Sequence, residues 1–369
     1  MNGLLPDVTW GTWGDFSWRG EQRSVAACTD SSEAPQRARS QRKLQQKGLR
    51  APASSQLWFE ELLARVDATT FGQQHCTYRC NPLRCVHHAA GSAVDVIPWE
   101  DLPEGIHPRD GKLPSERIRR KRHQVENLAV FLQRILRPGD VVVEFCAGSG
   151  YVALPLAAMF PHCTFVLLDM KAPSLAIAEE RIAAAGLQNV ELFCGLIDDY
   201  TKTFDVGIAL HACGEATDMV MLKCLDAEAA FVLAPCCVGK IKLSALEYPR
   251  SQTLQAVLSR SEYEVLARAA DFGHTNNAAL CLSPVNVRRR RCKTLLESDR
   301  NLRARERGYE TFMCVMHPHD ATPKNDVLVG LPARRNAPAT AEPAAARGLL
   351  ECPHALDEAQ TKCVIFGLP

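Results

Sequence analysis

Three valines, Val141, Val142 and Val143, run into Glu144-Phe145-Cys146-Ala147-Gly148-Ser149-Gly150, and the next apolar run, residues 164–168, ends on Asp169. Small residues between a strand and a helix let a ligand approach the backbone, where the amides and dipole of the helix start add polar attraction. By spacing alone, Gly148-Ser149-Gly150-Tyr151-Val152-Ala153 satisfies a dinucleotide pattern, with Asp169 at the distance of a ribose-binding acid. An NAD(P)-dependent oxidoreductase is therefore one reading. Glu144 argues for another, because a carboxylate just ahead of the glycines would repel a pyrophosphate and suits the cationic amino-acid end of S-adenosylmethionine. A dinucleotide domain also needs two mononucleotide halves, and only one run of five parallel-type strands is present. Methyl transfer becomes the leading class.

A second group of reactive residues follows two later apolar runs. His211, Cys213 and Asp218 come after residues 204–210, and Cys236-Cys237 after residues 230–233. Methyl transfer needs an in-line approach to the sulfonium and sometimes a base, so few catalytic side chains are required. His211, Cys213, Asp218, Cys236 and Cys237 form the candidate catalytic set, with His211 able to take a proton near neutral pH. Bracing of the loop and capping of the helix near Thr217 is the plainer role for His211 and Asp218. The cysteines read as packing or acceptor-pocket lining, and no metal is assigned to them. Cys76, Cys80 and Cys85 with His87 or His88 give a Cys-x3-Cys-x4-Cys-x2-His spacing to the last, a weak zinc signal.

These side chains need a frame. From Ser115, read as a helix cap, Ile118, Val125, Leu128, Ala129, Leu132, Ile135 and Leu136 recur at helical spacing until Pro138-Gly139 ends the run. Strands are predicted over residues 141–143, 164–168, 190–193, 204–210 and 230–233, with helices over 151–160, 174–185 and 217–225. That alternation calls for a doubly wound, Rossmann-like α/β sheet, mostly parallel and covered on both faces. Residues 312–316 and 327–329, joined without a helix, add a C-terminal antiparallel strand pair. In such sheets ligands bind beyond the carboxyl ends of the strands, so both groups of residues meet at one crevice.

The chain has 369 residues, 46% hydrophobic and 23% charged, so most of it is expected to fold. Residues 1–110 read as a largely disordered extension holding a short helix near 57–66 and a proline-punctuated linker from 98. Residues 111–332 form the domain, and 333–369 an Ala/Pro-rich tail. No apolar run of about 18 residues offers a membrane span, and Asp7, Asp15 and Glu21 spoil a secretory signal. Sixteen cysteines in such a chain read as reduced thiols, hence a cytoplasmic setting. A net charge of +1 excludes a uniformly basic nucleic-acid coat but leaves room for local patches. Two basic segments, Arg117 to Arg122 and Arg288 to Arg307, are candidate phosphate contacts for RNA; the competing role is a solvated helix face balanced by Glu297, Asp299 and Glu306. The sequence does not fix an oligomeric state.

Several landmarks together are more specific than the glycine loop. They are Lys112-Leu113-Pro114, Arg119-Arg120-Lys121-Arg122 with Asn127-Leu128, Phe145-Cys146-Ala147-Gly148-Ser149-Gly150, Ala209-Leu210-His211-Ala212-Cys213-Gly214 with Ala216-Thr217-Asp218, Pro235-Cys236-Cys237, and Pro323-Lys324-Asn325. Through them the stretch from Lys112 to Pro332 resembles the methyltransferase-like domain of glutathione S-transferase C-terminal domain-containing proteins. A wider group similar in these segments includes a tRNA 2′-O-methyltransferase family, which brings RNA forward as acceptor, ahead of protein. The resemblance implies S-adenosyl-L-methionine as cofactor, with Glu144, Cys146, Gly148 and Gly150 at its methionine end, Asp169 at its ribose, and Gly195-Leu196 beside the adenine. Cys146 stands where many methyltransferases carry the first glycine. No transferase-like domain is recognisable upstream of Lys112, so nothing related to glutathione is carried over. A catalytically inactive adapter of the same fold, binding RNA or protein, is the alternative from another class.

Overall fold

Five short strands of mainly aliphatic residues, β1 (Val141–Phe145), β2 (Thr164–Asp169), β3 (Val190–Cys194), β4 (Val206–Leu210) and β5 (Ala230–Ala234), pair in parallel. Two more, β6 (Tyr309–Val315) and β7 (Asp326–Pro332), complete one seven-stranded sheet in the order β3-β2-β1-β4-β5-β7-β6. β7 runs antiparallel to both of its neighbours. The doubly wound sheet and its terminal pair are as the apolar runs predicted. The dinucleotide alternative fails here: after β5 the next place in the sheet goes to an antiparallel strand, not to the remainder of a second mononucleotide half. Pairing of β7 with β5 depends on Gly330 opposite Phe231, since a Cβ there would stand 2.2 Å from the phenyl ring.

Successive strand residues face opposite sides of the sheet, and the sequence exploits this. Val142, Phe165, Val206 and Val232 enter one apolar core, while Val143, Val166, Ala209 and Phe231 enter the other. The first core is closed by α3 (Ser115–Ile135), α4 (Ala153–Met159) and α5 (Ala172–Ala185). The second is covered by α6 (Ala216–Asp226) and by Ala304 of α8 (Pro284–Arg305), against which α7 (Arg260–Ala270) packs. Gly186 ends α5 with φ of 65°, the left-handed turn expected of a glycine stop. Ser115 is not the cap it was expected to be. It is the first helical residue, and Pro114, which has no side chain to donate or accept, occupies the cap position.

The structure, a computed structural model, describes residues 52–90, 95–111, 113–238, 241, 244–271 and 283–336. The readings for 1–51 and for most of the tail from 337 onward lie outside them. The chain divides into two compact units at Val66. The described part of the first belongs to α1 (Pro52–Asp67), which contains the helix expected near 57–66. In the second unit, residues 67–90 and 95–111 are built into the fold, where a disordered extension and linker were expected. α2 (Pro82–Ala90) lies in this stretch; Asn81 Nδ2 donates to Asn127 Oδ1 at 2.7 Å and to the Val315 carbonyl at 3.0 Å. Trp99 is buried and its Nε1 donates to Glu126 Oε1 at 2.7 Å. Leu83, Ile97, Trp99 and Ile106 bury in the first core one at a time, too widely spaced to give a periodic signal. Among the described residues, no helix is long and apolar enough to cross a membrane.

Candidate functional site

The carboxyl end of β1 turns sharply. Cys146 has φ of 58°, a left-handed conformation that favours glycine, which explains physically why many related loops place glycine there. Gly148 and Gly150 are left-handed as well. A Cβ on Gly150 would stand 2.7 Å from Leu167 and 2.9 Å from Leu154, so this glycine is required by packing; a Cβ on Gly148 would meet nothing within 4 Å. The bend therefore presents open space over its backbone at Gly148. It is held from below by Asp169, whose Oδ2 accepts from Gly148 N–H at 2.8 Å and whose Oδ1 accepts from Lys171 N–H at 2.9 Å. Each carboxylate oxygen has lone-pair capacity beyond one bond.

Glu144 is buried and accepts from Ala153 N–H at 2.8 Å. Burial pushes its carboxyl up to about 8, against the opposing pull of that amide and of Lys121 and Arg181. Gly195 and Leu196 lie one strand further out: Gly195 N–H donates to the Asp169 carbonyl, and Leu196 N–H to Asp199 Oδ2 at 2.8 Å. Met170 and Leu196, at the ends of β2 and β3, are 66% and 54% exposed, large apolar side chains left in water beside Asp169. Glu144, Cys146, Gly148, Gly150, Asp169, Gly195 and Leu196 are thus gathered along the carboxyl ends of three adjacent strands.

At the ends of β4 and β5 the second group assembles in part. His211 has φ of 64°, a strained backbone for a residue with a side chain. Its Nε2 lies 3.1 Å from Gln124 Oε1, and Gln124 Nε2 donates to the Ala321 carbonyl at 2.8 Å. That fixes the amide, so His211 Nε2 carries the hydrogen and donates. Burial, helped by Lys121, lowers the imidazole to about 4, so it is neutral at pH 7. Cys213 Sγ is 3.1 Å from Cys236 Sγ, which is 3.9 Å from Cys237 Sγ. Contacts with Cys213 and Cys236 lower Cys237, with help from Gly214 N–H, while contacts with Cys213 and Cys237 raise Cys236. Cys146 is pushed up to about 11 by burial, with the Asp169 charge adding to it.

Asp218 does not belong with them. Its carboxylate is buried and receives Arg300 Nε at 3.0 Å, Arg300 Nη2 at 2.8 Å and the Tyr248 hydroxyl at 3.0 Å. It cannot act as a base on a substrate, because a bidentate guanidinium already satisfies it. Nor does it cap α6, where Thr217 Oγ1 donates to the Ala212 carbonyl instead. The segment from Arg288 to Arg307 is internal in part. Arg290 and Lys293 are buried against Asp326, and Arg300 also pairs with Glu297 at 2.9 Å. Arg305 is directed at Thr311. The helix does form and turns Arg290, Lys293 and Arg300 inward, whereas Arg288, Arg289, Arg291, Arg303 and Arg305 are half-buried and Arg307 is exposed, so part of its charge stays at the surface. The zinc reading at Cys76, Cys80 and Cys85 fares similarly: Cys76 Sγ donates to the Phe71 carbonyl, and Cys85 is disulfide-bonded and so is no thiolate ligand. The His88 side chain lies outside the described residues.

Three residues at the crevice were not among the expected site residues, although Lys121 was named within the basic segment from Arg117 to Arg122. Arg181 donates to the carbonyls of Ser149 at 2.6 Å and Gly105 at 2.7 Å and lies 4.3 Å over the Tyr151 ring, pinning the bend. Its signal was a charge in the apolar stripe of Leu175, Ala178 and Ile182. Lys121 lies 5.9 Å from the same ring and within electrostatic reach of Glu144. Met170 stands next to Asp169 and was visible only as one more apolar residue.

Comparison with known proteins falls on the same region. Residues 120–244 match a family model described as a methyltransferase domain. The chain is 38% identical over 242 residues to the glutathione S-transferase C-terminal domain-containing protein homolog of Drosophila melanogaster, covering 65% of this chain and 41% of that one. To the human protein of that description it is 37% identical over 239 residues, 64% of this chain and 37% of the relative. The chain thus spans about two fifths of the length of these relatives. A ribosomal RNA small subunit methyltransferase G from Cytophaga hutchinsonii is 27% identical over 84 residues, 23% of this chain and 41% of that protein. Among solved structures, Aeropyrum pernix fibrillarin with bound S-adenosyl-L-methionine superposes with a TM-score of 0.30 at 14% identity, over 55% of this chain and 73% of that one, so the fold assignment rests on the strand order itself. The match to a methyltransferase domain model over residues 120–244 thus lies within a longer stretch similar to glutathione S-transferase C-terminal domain-containing proteins.

Proposed function

We propose that the chain is an S-adenosylmethionine-dependent methyltransferase whose acceptor is RNA. One observation carries the cofactor reading. A buried carboxyl at Glu144, a left-handed bend with open space over Gly148, and an acid at Asp169 flanked by exposed Met170 and Leu196 lie in a row along three strand ends. The donor set fits the group: a carboxylate for an ammonium, backbone for a carboxylate, an acid for ribose hydroxyls, and apolar walls for a purine. The cofactor supplies an electrophilic methyl on sulfur. Glu144 would hold its ammonium, Asp169 its ribose, and Met170 with Leu196 its adenine. Because His211 is held near 4, it is a weak base at neutral pH. Acceleration therefore rests mainly on holding the acceptor in line.

The RNA reading draws on the Cytophaga relative, named for ribosomal RNA methylation, and on the start of α3. There Asp95, Ser115, Arg119, Arg122 and His123 line a cleft of about 400 Å³, in which Arg122 pairs with Asp95 and Arg119 with Glu116 and Asp320, and Arg117 is exposed beside it in the chain. A backbone phosphate would compete with these carboxylates for the guanidinium groups. The adapter reading keeps one observation in its favour: Asp218 is tied up by Arg300, leaving the weakly basic His211 as the crevice's imidazole.

Calorimetry with S-adenosylmethionine and its demethylated product tests the cofactor reading, and absence of binding to folded protein at millimolar ligand would overturn it. Incubation with labelled donor and separate cellular RNA and protein fractions tests the acceptor. Label in RNA supports the proposal, label in protein alone replaces the acceptor, and binding without label in either favours the adapter.

A further inference from the structure

We infer that Cys213, Cys236 and Cys237 form a tri-thiolate site for one soft metal ion of the zinc type. Their sulfurs all lie within 4.8 Å of one another. Three sulfurs bound at about 2.3 Å to one tetrahedral centre stand about 3.8 Å apart. The Cys213–Cys236 and Cys236–Cys237 separations, 3.1 and 3.9 Å, bracket that spacing. An adjacent Cys-Cys pair is a poor chelate alone, and the fold supplies what it lacks. β4 and β5 are neighbouring parallel strands, so the loop after β4 brings Cys213 to the pair that follows β5. The two loops are tied by Gly214 N–H, which donates to the Cys237 carbonyl at 3.2 Å and reaches its sulfur at 3.3 Å. A backbone donor on sulfur is the kind of support that orients a metal-bound thiolate.

Packing does not account for the cluster. The cysteines that serve as small apolar residues, Cys224 and Cys314, are fully buried in the sheet cores, whereas Cys213 is exposed and Cys236 and Cys237 are half-buried. Three protein ligands leave the fourth position of a tetrahedral ion to water or another small ligand. On binding, each thiol that becomes a ligand gives its proton to solvent, so uptake releases protons and strengthens with pH. The site does not depend on the cofactor reading.

The test is anaerobic titration of the reduced full-length chain with Co²⁺, followed by displacement with Zn²⁺. One equivalent should give sulfur-to-cobalt charge-transfer absorption with tetrahedral visible bands, and Zn²⁺ should abolish both. Cys213→Ser and Cys236→Ser should each lose the charge-transfer band at least in part. As these variants could misfold, alkylation of the wild-type chain followed by mass spectrometry serves as a second readout. Zn²⁺ should slow labelling of Cys213, Cys236 and Cys237 several-fold and leave exposed Cys194 unchanged. Absence of cobalt bands in reduced protein, or protection falling on Cys76 and Cys80 instead, would overturn the inference. So would a chain that holds a Cys213–Cys236 disulfide and takes up no metal after reduction.

Discussion

The two sides of β4 use the same residue types to opposite ends. Beyond its carboxyl end, the crevice keeps Glu144 and Asp169 hydrogen-bonded to backbone amides among the described residues, with thiols nearby and apolar side chains left in water. Behind the sheet, α8 buries a chain of charges in which Asp218, Arg300, Glu297, Lys293, Asp326 and Arg290 neutralise one another. A carboxylate whose partners are amides can still receive a ligand; one clamped by a guanidinium cannot. Function therefore concentrates where pairing is incomplete, and stability where it is complete.

The sharpest way to break that contrast is to exchange one acid from each region. Asp218→Ala takes the bidentate partner from buried Arg300, which keeps Glu297, and removing one partner of a buried pair costs about 3–5 kcal/mol. Urea denaturation should show a loss of that order. Retained stability with lost methyl transfer would move Asp218 back to the crevice. Asp169→Ala should instead weaken cofactor binding by about 1–3 kcal/mol, the worth of a charged hydrogen bond, when measured by calorimetry. An unchanged affinity would remove Asp169 from the ribose.

Much of this division was unreadable from residue order. The sheet was legible because the buried strands are mostly aliphatic runs and α5 ends at a turn residue, Gly186. The crevice followed from it, since the carboxyl ends of parallel strands converge wherever such a sheet forms. The run from Arg288 to Arg291 was not legible. Four arginines in a row carry no mark of direction, and only the opposing Asp326 and Tyr78, both distant in sequence, reveal that Arg290 points inward. Asp218 misled for the same reason, as its partner Arg300 lies 82 residues away. Trp99 and Asn81 were missed because isolated residues in proline-broken segments bury without any period.

Glu144 sharpens the comparison from the other direction, since its burial should be visible in pH dependence. With the folded carboxyl raised to about 8 from an ordinary 4.5, the folded chain holds a proton that the unfolded chain releases. Its contribution to stability is present below about pH 4.5, declines as pH rises through that window, and levels off above about 8. Binding of the cofactor ammonium should show the opposite slope, strengthening towards pH 8 as the carboxylate forms, until the ammonium itself deprotonates. Glu144→Gln should flatten both profiles and, at pH 8, give a chain at least as stable as wild type that binds the cofactor several-fold more weakly. Parallel calorimetry and thermal unfolding across pH 5–9 separate the two effects. A wild-type affinity flat across that range would mean that Glu144 does not meet the ammonium.

The smallest effect sets exposed against buried arginine. Arg117 is exposed at the start of α3, so Arg117→Ala should leave folding intact, lower RNA affinity modestly, and reduce the slope of log affinity against log salt by about one phosphate contact. Arg290→Gln should do the reverse. It leaves Asp326 short of a buried partner, so the chain loses stability, while the salt slope of whatever remains folded stays at its wild-type value. Fluorescence anisotropy over a salt series, on samples checked for folding, reads both. A reduced slope for Arg290→Gln would place that guanidinium on the RNA surface and erase the boundary between the two regions. An unchanged slope for Arg117→Ala together with the same change at Arg122 would instead take RNA away from α3 and leave the crevice to a smaller acceptor.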